Sequence, residues 1–248
     1  MSEREANELT RDELFDGELG IWQRRKGYRF GLDALLLATD LPELPPAATV
    51  VELGAGQGAV CLSVAHKHRP WQVVAVERQP SLLELLRRNV AENQLNNVRV
   101  VAGDLREHRE LMAPHQADLV LCNPPFYPPG SRRPSPNQER AAARHELYGD
   151  VGDFVRAAAY ILGQRGWLRM ITPPVRMTQV LSAAEGTDLS LESLRFYHTD
   201  SDQKAYLVEY RWRRGGAPDL KIRPPLYIYH SRGIYTEEVA ARVGREGR

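Results

Sequence analysis

Asn123-Pro124-Pro125-Phe126 is the stretch of this chain whose residue types specify chemistry most directly. The amide oxygen of an asparagine and the carbonyl of the proline after it can both accept hydrogen bonds from a single NH2 group. An amino nitrogen conjugated to a ring or a carbonyl is a poor nucleophile because its lone pair is delocalised. Two acceptors draw it toward tetrahedral geometry and release the pair. Consecutive prolines fix the backbone, so the acceptors stand preorganised, and preorganised electrostatics are commonly a large catalytic contribution. Phe126 offers a face on which a flat base or amide can stack. Asn123, Pro124, Pro125 and Phe126 are therefore the candidate catalytic residues, for a transfer to nitrogen that needs neither a metal nor a covalent nucleophile.

A second group lies upstream, in Val50-Val51-Glu52-Leu53-Gly54-Ala55-Gly56-Gln57-Gly58. Gly54, Gly56 and Gly58 stand where a strand turns into a helix, a place where a Cβ blocks the sharp turn and keeps the backbone from approaching a ligand. Gly54, Gly56 and Ala59 also satisfy the dinucleotide fingerprint GxGxxA, which alone is weak. Glu52, just before the glycines, favours a methyl-donor pocket instead. Glu77 ends the next strand and is placed to accept both hydroxyls of a ribose. Asp104 ends the third strand and is placed to accept from an adenine amino group. Each acid alone reads equally as a solvated loop carboxylate. Together with the glycine turn they converge at the carboxyl ends of successive strands, where open α/β sheets bind ligands. The Asn-Pro-Pro-aromatic run then selects S-adenosylmethionine over a nicotinamide cofactor, and no Tyr-x-x-x-Lys proton relay accompanies the glycines.

These residues need a scaffold, and the hydrophobic pattern supplies one. β-branched or apolar runs at Thr49–Leu53, Gln72–Glu77, Val98–Ala102, Ala117–Cys122, Trp167–Ile171, Leu191–Tyr197 and Ala205–Trp212 predict seven strands. Helical patterns at Ala59–His68 and Ser81–Glu92 alternate with the early strands, the second opened by Pro80-Ser81. Alternation predicts an α/β fold, doubly wound around a mostly parallel seven-stranded sheet. The last two strands leave no room for a full helix between them and predict an antiparallel C-terminal hairpin at one edge. Gly215-Gly216-Ala217-Pro218 then separates a small appendage, with a short strand near Leu226–Tyr229 and a helix from Thr236.

Composition narrows the class. At 248 residues, 42% hydrophobic and 26% charged, residues 19–248 read as one domain with that appendage. The opening residues hold no apolar signal core and no run approaches a membrane span, so a cytoplasmic protein with no membrane partner is expected. Cys61 and Cys122 each sit in an apolar segment and read as buried, and the scattered histidines suggest no metal site. Residues 1–18 carry seven acids against two arginines, a net of −5, which leaves +6 on the remainder of a chain of net +1. An acidic, mobile arm ahead of a mildly basic body is the expectation. Tyr127–Pro136 is crowded with proline, serine, glycine and arginine and reads as an exposed loop. Arg132, Arg133, Arg140 and Arg144, with Tyr127 and His145, follow the Asn-Pro-Pro-Phe run directly and are candidate substrate contacts, able to hold phosphates while a base enters. An equally ordinary reading of such a run is a solvated face. No feature sets an oligomeric state.

With these motifs in place, the chain resembles the amino-methylating class I methyltransferases that carry an NPP(F/Y/W) motif. More narrowly it resembles the bacterial adenine-N6-methyltransferases that modify the anticodon loop of a valine tRNA. The parts that carry the narrower resemblance are Gly27-Tyr28-Arg29-Phe30-Gly31-Leu32-Asp33-Ala34, the ELGAGQG turn, NPPF, and Ala143-Arg144-His145-Glu146. The resemblance implies that the segment from Tyr28 to Asp33 covers the methionine end of the cofactor, which makes Phe30 and Asp33 candidate cofactor contacts. It implies an RNA partner, a tRNA above all. Related enzymes that share NPPF act on guanine N2 of ribosomal RNA or on a protein glutamine amide, and these stay as alternatives, as does a non-catalytic module that binds cofactor or RNA.

Overall fold

The computed structural model describes residues 8–27, 29–126, 149–217, 219–231 and 233–244. The described chain opens with a hairpin of strands β1 (Leu9–Leu14) and β2 (Leu19–Arg24), followed by helix α1 (Leu32–Leu37). Strand β3 (Thr49–Leu53), helix α2 (Ala59–Lys67), strand β4 (Gln72–Glu77), helix α3 (Pro80–Glu92) and strand β5 (Val98–Ala102) then alternate. The short helix α4 (His108–Leu111) leads to strand β6 (Ala117–Cys122). Helix α5 (Val151–Ile161), strand β7 (Leu162–Thr172) and helix α6 (Met177–Ala183) precede the long strands β8 (Leu189–His198) and β9 (Ala205–Arg214). Short strands β10 (Lys221–Ile222), β11 (Leu226–Tyr227), β12 (Tyr229–Ser231) and β13 (Ile234–Tyr235) lead to helix α7 (Glu237–Val243).

The sheet runs β5-β4-β3-β6-β7-β9-β8-β10, with β11 also on β8. Strands β3 to β7 pair in parallel, and β9 lies antiparallel between β7 and β8. All seven expected strands form, with the hairpin as its C-terminal pair. Strands β10 and β11 enlarge the sheet to nine. Order reverses at β3 and β6, whose neighbouring carboxyl ends carry the glycine turn and Asn123. This is the switch point at which open α/β sheets make a crevice.

β3 and β6 are buried on both faces and therefore read as near-continuous apolar runs. One face is covered by α1, α2 and α7, through residues such as Leu36, Leu62 and Val239; the other by α5 and α6, through Phe154, Val155 and Val180. Cys61 and Cys122 are buried within these layers. No described helix is long and apolar enough to cross a membrane.

The acidic arm is corrected in part. Residues 9–14 are not mobile but paired with β2. The hairpin docks on α3, where Asn89 and Asn93 lie one turn apart on one face. Asn93 Oδ1 accepts from Gly20 N at 2.9 Å while Asn93 Nδ2 donates to Gly20 O at 2.7 Å. Asn89 does the same at Trp22, at 2.8 and 3.0 Å. Two side chains thus satisfy the outer backbone edge of β2, which has no further strand to pair with.

A buried ionic cluster ties the antiparallel edge to the sheet. Glu209 accepts from Arg169 Nε at 2.9 Å, from Arg211 Nε at 2.7 Å and from the Tyr197 hydroxyl at 2.5 Å. Arg169 also donates to the carbonyls of Leu37 and Thr39, closing the end of α1. Asp40 collects Arg211, Arg223 and Arg242 at 2.8, 2.7 and 3.3 Å, which fixes the C-terminal appendage. Burial alone pushes the Glu209 and Asp40 carboxyls up, but their guanidinium partners outweigh it and hold each at about 2. Folded values below the ordinary carboxylate range mean that this stabilisation is complete above about pH 4.5 and is lost as pH falls toward 2. Glu209→Ala, which strands Arg169 in the core, is expected to cost about 3–5 kcal/mol, read as a lowered urea midpoint. Glu209→Gln should flatten the acid limb of stability measured against pH; an unchanged limb would show that the cluster does not couple protons to folding.

Candidate active site

The turn between β3 and α2 is built from glycines in conformations other residues resist. Gly54, Gly56 and Gly58 have φ of 74°, 58° and 100°. A Cβ on Gly54 would stand 3.3 Å from the Phe154 ring, and one on Gly58 would collide with Leu62 and Leu86. Gly58 therefore serves the packing of α2 on α3, while Gly54 and Gly56 line a cleft at the carboxyl end of the sheet.

Two buried carboxylates hold this turn. Glu77 Oε2 accepts from Gly56 N at 2.8 Å, and Oε1 accepts from the backbone N–H of Arg78 and Gln79 at 2.9 and 2.7 Å. Burial raises its pKa, against the pull of those amides. Glu77 also lines the cleft. Glu52 accepts from Cys61 N at 2.8 Å. Burial lifts Glu52 to about 8, so it is mostly neutral at pH 7 and acts on the start of α2 as a hydrogen-bonding group more than as a charge.

Asn123 follows β6 and belongs to two spaces at once, the large cleft and a smaller pocket that Phe30, Ala34, Glu52 and Gln57 also line. Its Nδ2 donates to Asp33 Oδ2 at 2.6 Å. Its Oδ1 is buried and has no hydrogen-bond partner among the described residues. Spending the donor on Asp33 decides which way the amide faces, and it leaves the acceptor open. Asp33 sits in the first turn of α1, in space that Gly31 leaves clear: a Cβ there would come 2.3 Å from the Asp33 carboxylate. Burial pushes the Asp33 carboxyl up, offset in part by the Asn123 amide. Pro125 lines the large cleft, Pro124 is buried, and Phe126 is half-buried against the core.

Asp104 also lines the cleft, but its carboxylate is already engaged. Arg106 donates to it from its backbone and side chain, the closest contact 2.5 Å, and Arg78 Nε lies 3.1 Å away. Those bonds, led by the Arg106 side chain, hold its pKa down. Asp104, which the sequence places to accept from an adenine amino group, is thus an ion-paired carboxylate at the cleft. Tyr127, Arg132, Arg133, Arg140, Arg144 and His145 lie outside the described residues, as does Tyr28. Two site residues escaped the sequence reading. Phe154 arrives from α5, far along the chain, with no local signal. Gln57 stands inside the glycine turn, and a polar residue between glycines that ends up 1% exposed was the available clue.

A model of the methyltransferase small domain family matches residues 31–184, more than half of the chain. Among curated relatives, a Porphyromonas gingivalis protein named tRNA1(Val) (adenine(37)-N6)-methyltransferase is 27% identical over 219 residues, 85% of each chain. A Flavobacterium psychrophilum protein of the same name is 24% identical, over 90% of this chain and 94% of its own. Among solved structures, an Agrobacterium tumefaciens protein described as a predicted O-methyltransferase, Atu636, superposes with a TM-score of 0.70 at 23% identity, over 87% of this chain and 98% of that one. M. jannaschii TYW2, solved in complex with AdoMet, gives 0.56 at 17% identity, over 84% and 87%. The two structural likenesses are likenesses of fold.

The grip of Glu77 on the turn has a direct readout. Glu77→Ala should speed hydrogen exchange at the amides of Gly56, Arg78 and Gln79 by roughly tenfold or more, the scale of losing a hydrogen bond to a charged group. Glu77→Gln, which retains an acceptor, should show a smaller change. Protection that is equal in all three proteins would mean that the turn holds itself.

Proposed function

The chain belongs to the methyltransferase small domain family, and from that membership we propose that it transfers the methyl group of S-adenosylmethionine to N6 of an adenine in RNA, a tRNA above all. The observation that carries this reading is Asn123: a buried amide oxygen with no partner among the described residues, beside a glycine-lined cleft, its orientation set by Asp33. An acceptor left open in the interior is costly unless a ligand completes it. The relatives named for adenine(37)-N6 methylation of tRNA1(Val) favour adenine among the amino acceptors, as do the Tyr28–Ala34 and Arg144–Glu146 segments of the sequence. A cytoplasmic location fits that substrate.

The residues present suit such a donor. Gly54 and Gly56 let the backbone approach it, Glu77 faces its ribose, and the small pocket beside Asn123 is placed for its amino-acid end. Bound there, S-adenosylmethionine supplies a methyl group on a sulfonium that is already activated. The chain's own task is positioning. Asn123 Oδ1 and the Pro124 carbonyl would accept the two hydrogens of the adenine amino group, turning its lone pair out of the ring. Pro124 and Pro125 stiffen the backbone that bears these acceptors, and Phe126 gives the base a surface to stack on. The arginines at 132, 133, 140 and 144, with Tyr127 and His145, are the sequence's candidates for holding the RNA.

Asn123→Ala is expected to fold and to bind cofactor, yet to lose about 10²–10³ in kcat, the usual cost of one preorganised transition-state partner. Asn123→Asp should be equally poor: it keeps an oxygen but sets a second carboxylate against Asp33 and forfeits the donor that orients the group. Mass spectrometry of nucleosides from treated tRNA should show N6-methyladenosine. Methyl label on guanine N2 or on a protein glutamine would keep the amino chemistry and overturn the acceptor. Full turnover by Asn123→Ala would overturn the mechanism.

A further inference from the structure

Gln57 sits at the tip of the glycine turn, 1% exposed, and lines the small pocket next to Asn123 and Phe30. Its side chain is held from one side only. Gln57 Nε2 faces Gln23 Oε1 at 3.4 Å, and Gln23, 0% exposed on β2, has its own amide turned by donation to Asp12 Oδ2 at 2.6 Å. A carboxylate can only accept, so Asp12 fixes Gln23, and Gln23 presents an oxygen to Gln57. Gln57 Oε1, by contrast, is buried and has no partner among the described residues. The backbone beneath it is anchored too, since the Gln57 carbonyl accepts from Asn89 Nδ2 at 2.9 Å. The N-terminal hairpin, which precedes the family-matched segment 31–184, thereby sets the orientation of a polar group inside that segment.

We propose that Gln57 is a cofactor-binding residue whose Oε1 accepts a hydrogen bond from the α-ammonium of the methyl donor's amino-acid end, and that Gln23 is its positioning residue. A buried unsatisfied amide oxygen is completed by a donor, and the pocket beside it needs one that a flat base or a ribose, bound in the larger cleft, does not bring. Glu52 shares the pocket, but an oxygen of its carboxyl is spent on the Cys61 amide. The glutamine therefore offers an open neutral acceptor, able to take an ammonium without competing for a proton.

This inference rests on the cofactor reading above, and the test separates the two. Calorimetry compares S-adenosylhomocysteine, which carries the α-ammonium, with methylthioadenosine, which lacks the amino-acid end. Gln57→Met, of similar shape but without the acceptor, is expected to lose about 10–100-fold in affinity for S-adenosylhomocysteine, the scale of one hydrogen bond to a charged group. Its affinity for methylthioadenosine should stay at the wild-type value. Gln23→Met, which leaves the turn's own sequence intact, should show the same selective loss to a smaller degree. Should Gln57→Met fail to fold, Gln23→Met carries the test alone. Equal losses for both ligands would mean that these residues only shape the turn, and unchanged affinity for both would mean that they do not face the ligand; either overturns the proposal. Wild-type protein that binds neither ligand would overturn the cofactor reading itself.

Discussion

A single hydrogen bond, from Asn123 Nδ2 to Asp33 at 2.6 Å, gives the site its direction. An asparagine amide can present either end to a ligand, and the two ends do opposite things: one donates, the other accepts. Without a fixed donor partner the amide would be free to rotate and the acceptor would be present only part of the time. Asp33 removes that freedom from ninety residues away in sequence. Its own place follows from the first turn of α1 and from the bare backbone of Gly31. α1 in turn is held by Arg169, which bonds the carbonyls at its end while paired with Glu209. The geometry of one open amide oxygen thus reaches back, through a helix, to the ionic cluster of the antiparallel edge.

The glycine turn is organised by the same logic with the signs exchanged. There bare glycine backbone lines the cleft, and buried carboxyl groups hold it in place: Glu77 on Gly56, Glu52 on Cys61. Carboxylates are expensive to bury, and both have raised pKa values for that reason. Their placement is tolerable because each lies against backbone N–H groups at the ends of helices or turns. A glycine-rich turn has little side-chain packing of its own, so hydrogen bonds from outside must supply the rigidity that glycine forfeits.

How much of this was legible in the sequence follows from where each signal lives. The inner strands were readable because burial on both faces writes a continuous apolar run, as at Thr49–Leu53 and Ala117–Cys122. Asn123 and its prolines were readable because their chemistry is local: adjacent residues supply the acceptor, the stiffness and the stacking face. The hairpin was misread because six of its residues carry an acid-rich pattern, LTRDEL, whose pairing depends on two asparagines on α3. β8 and β9 extend beyond their apolar runs because ladder hydrogen bonds continue through Arg213 and Arg214 regardless of side-chain polarity. Gln57 was invisible as a ligand candidate for a similar reason. What makes its oxygen available is the chain from Asp12 through Gln23, and no spacing rule within the glycine motif encodes that.

The fate of the N-terminal acids also changes how the charge of the chain should be understood. The sequence sets a strongly negative arm against a mildly positive body, for a net charge of only +1. In the structure the described acids of that arm are largely consumed internally. Asp12 pairs with Arg29 and Glu13 with Arg11, while Arg11 also reaches Glu92. Paired charges a few ångströms apart project little field beyond a Debye length of about 10 Å. The hairpin rests against α2 and α3, at the flank of the sheet. Its acids therefore do not form a free negative arm that must be held away from a phosphate backbone. Net charge is therefore a poor guide to the field around the cleft, which is set by how unpaired charge is distributed.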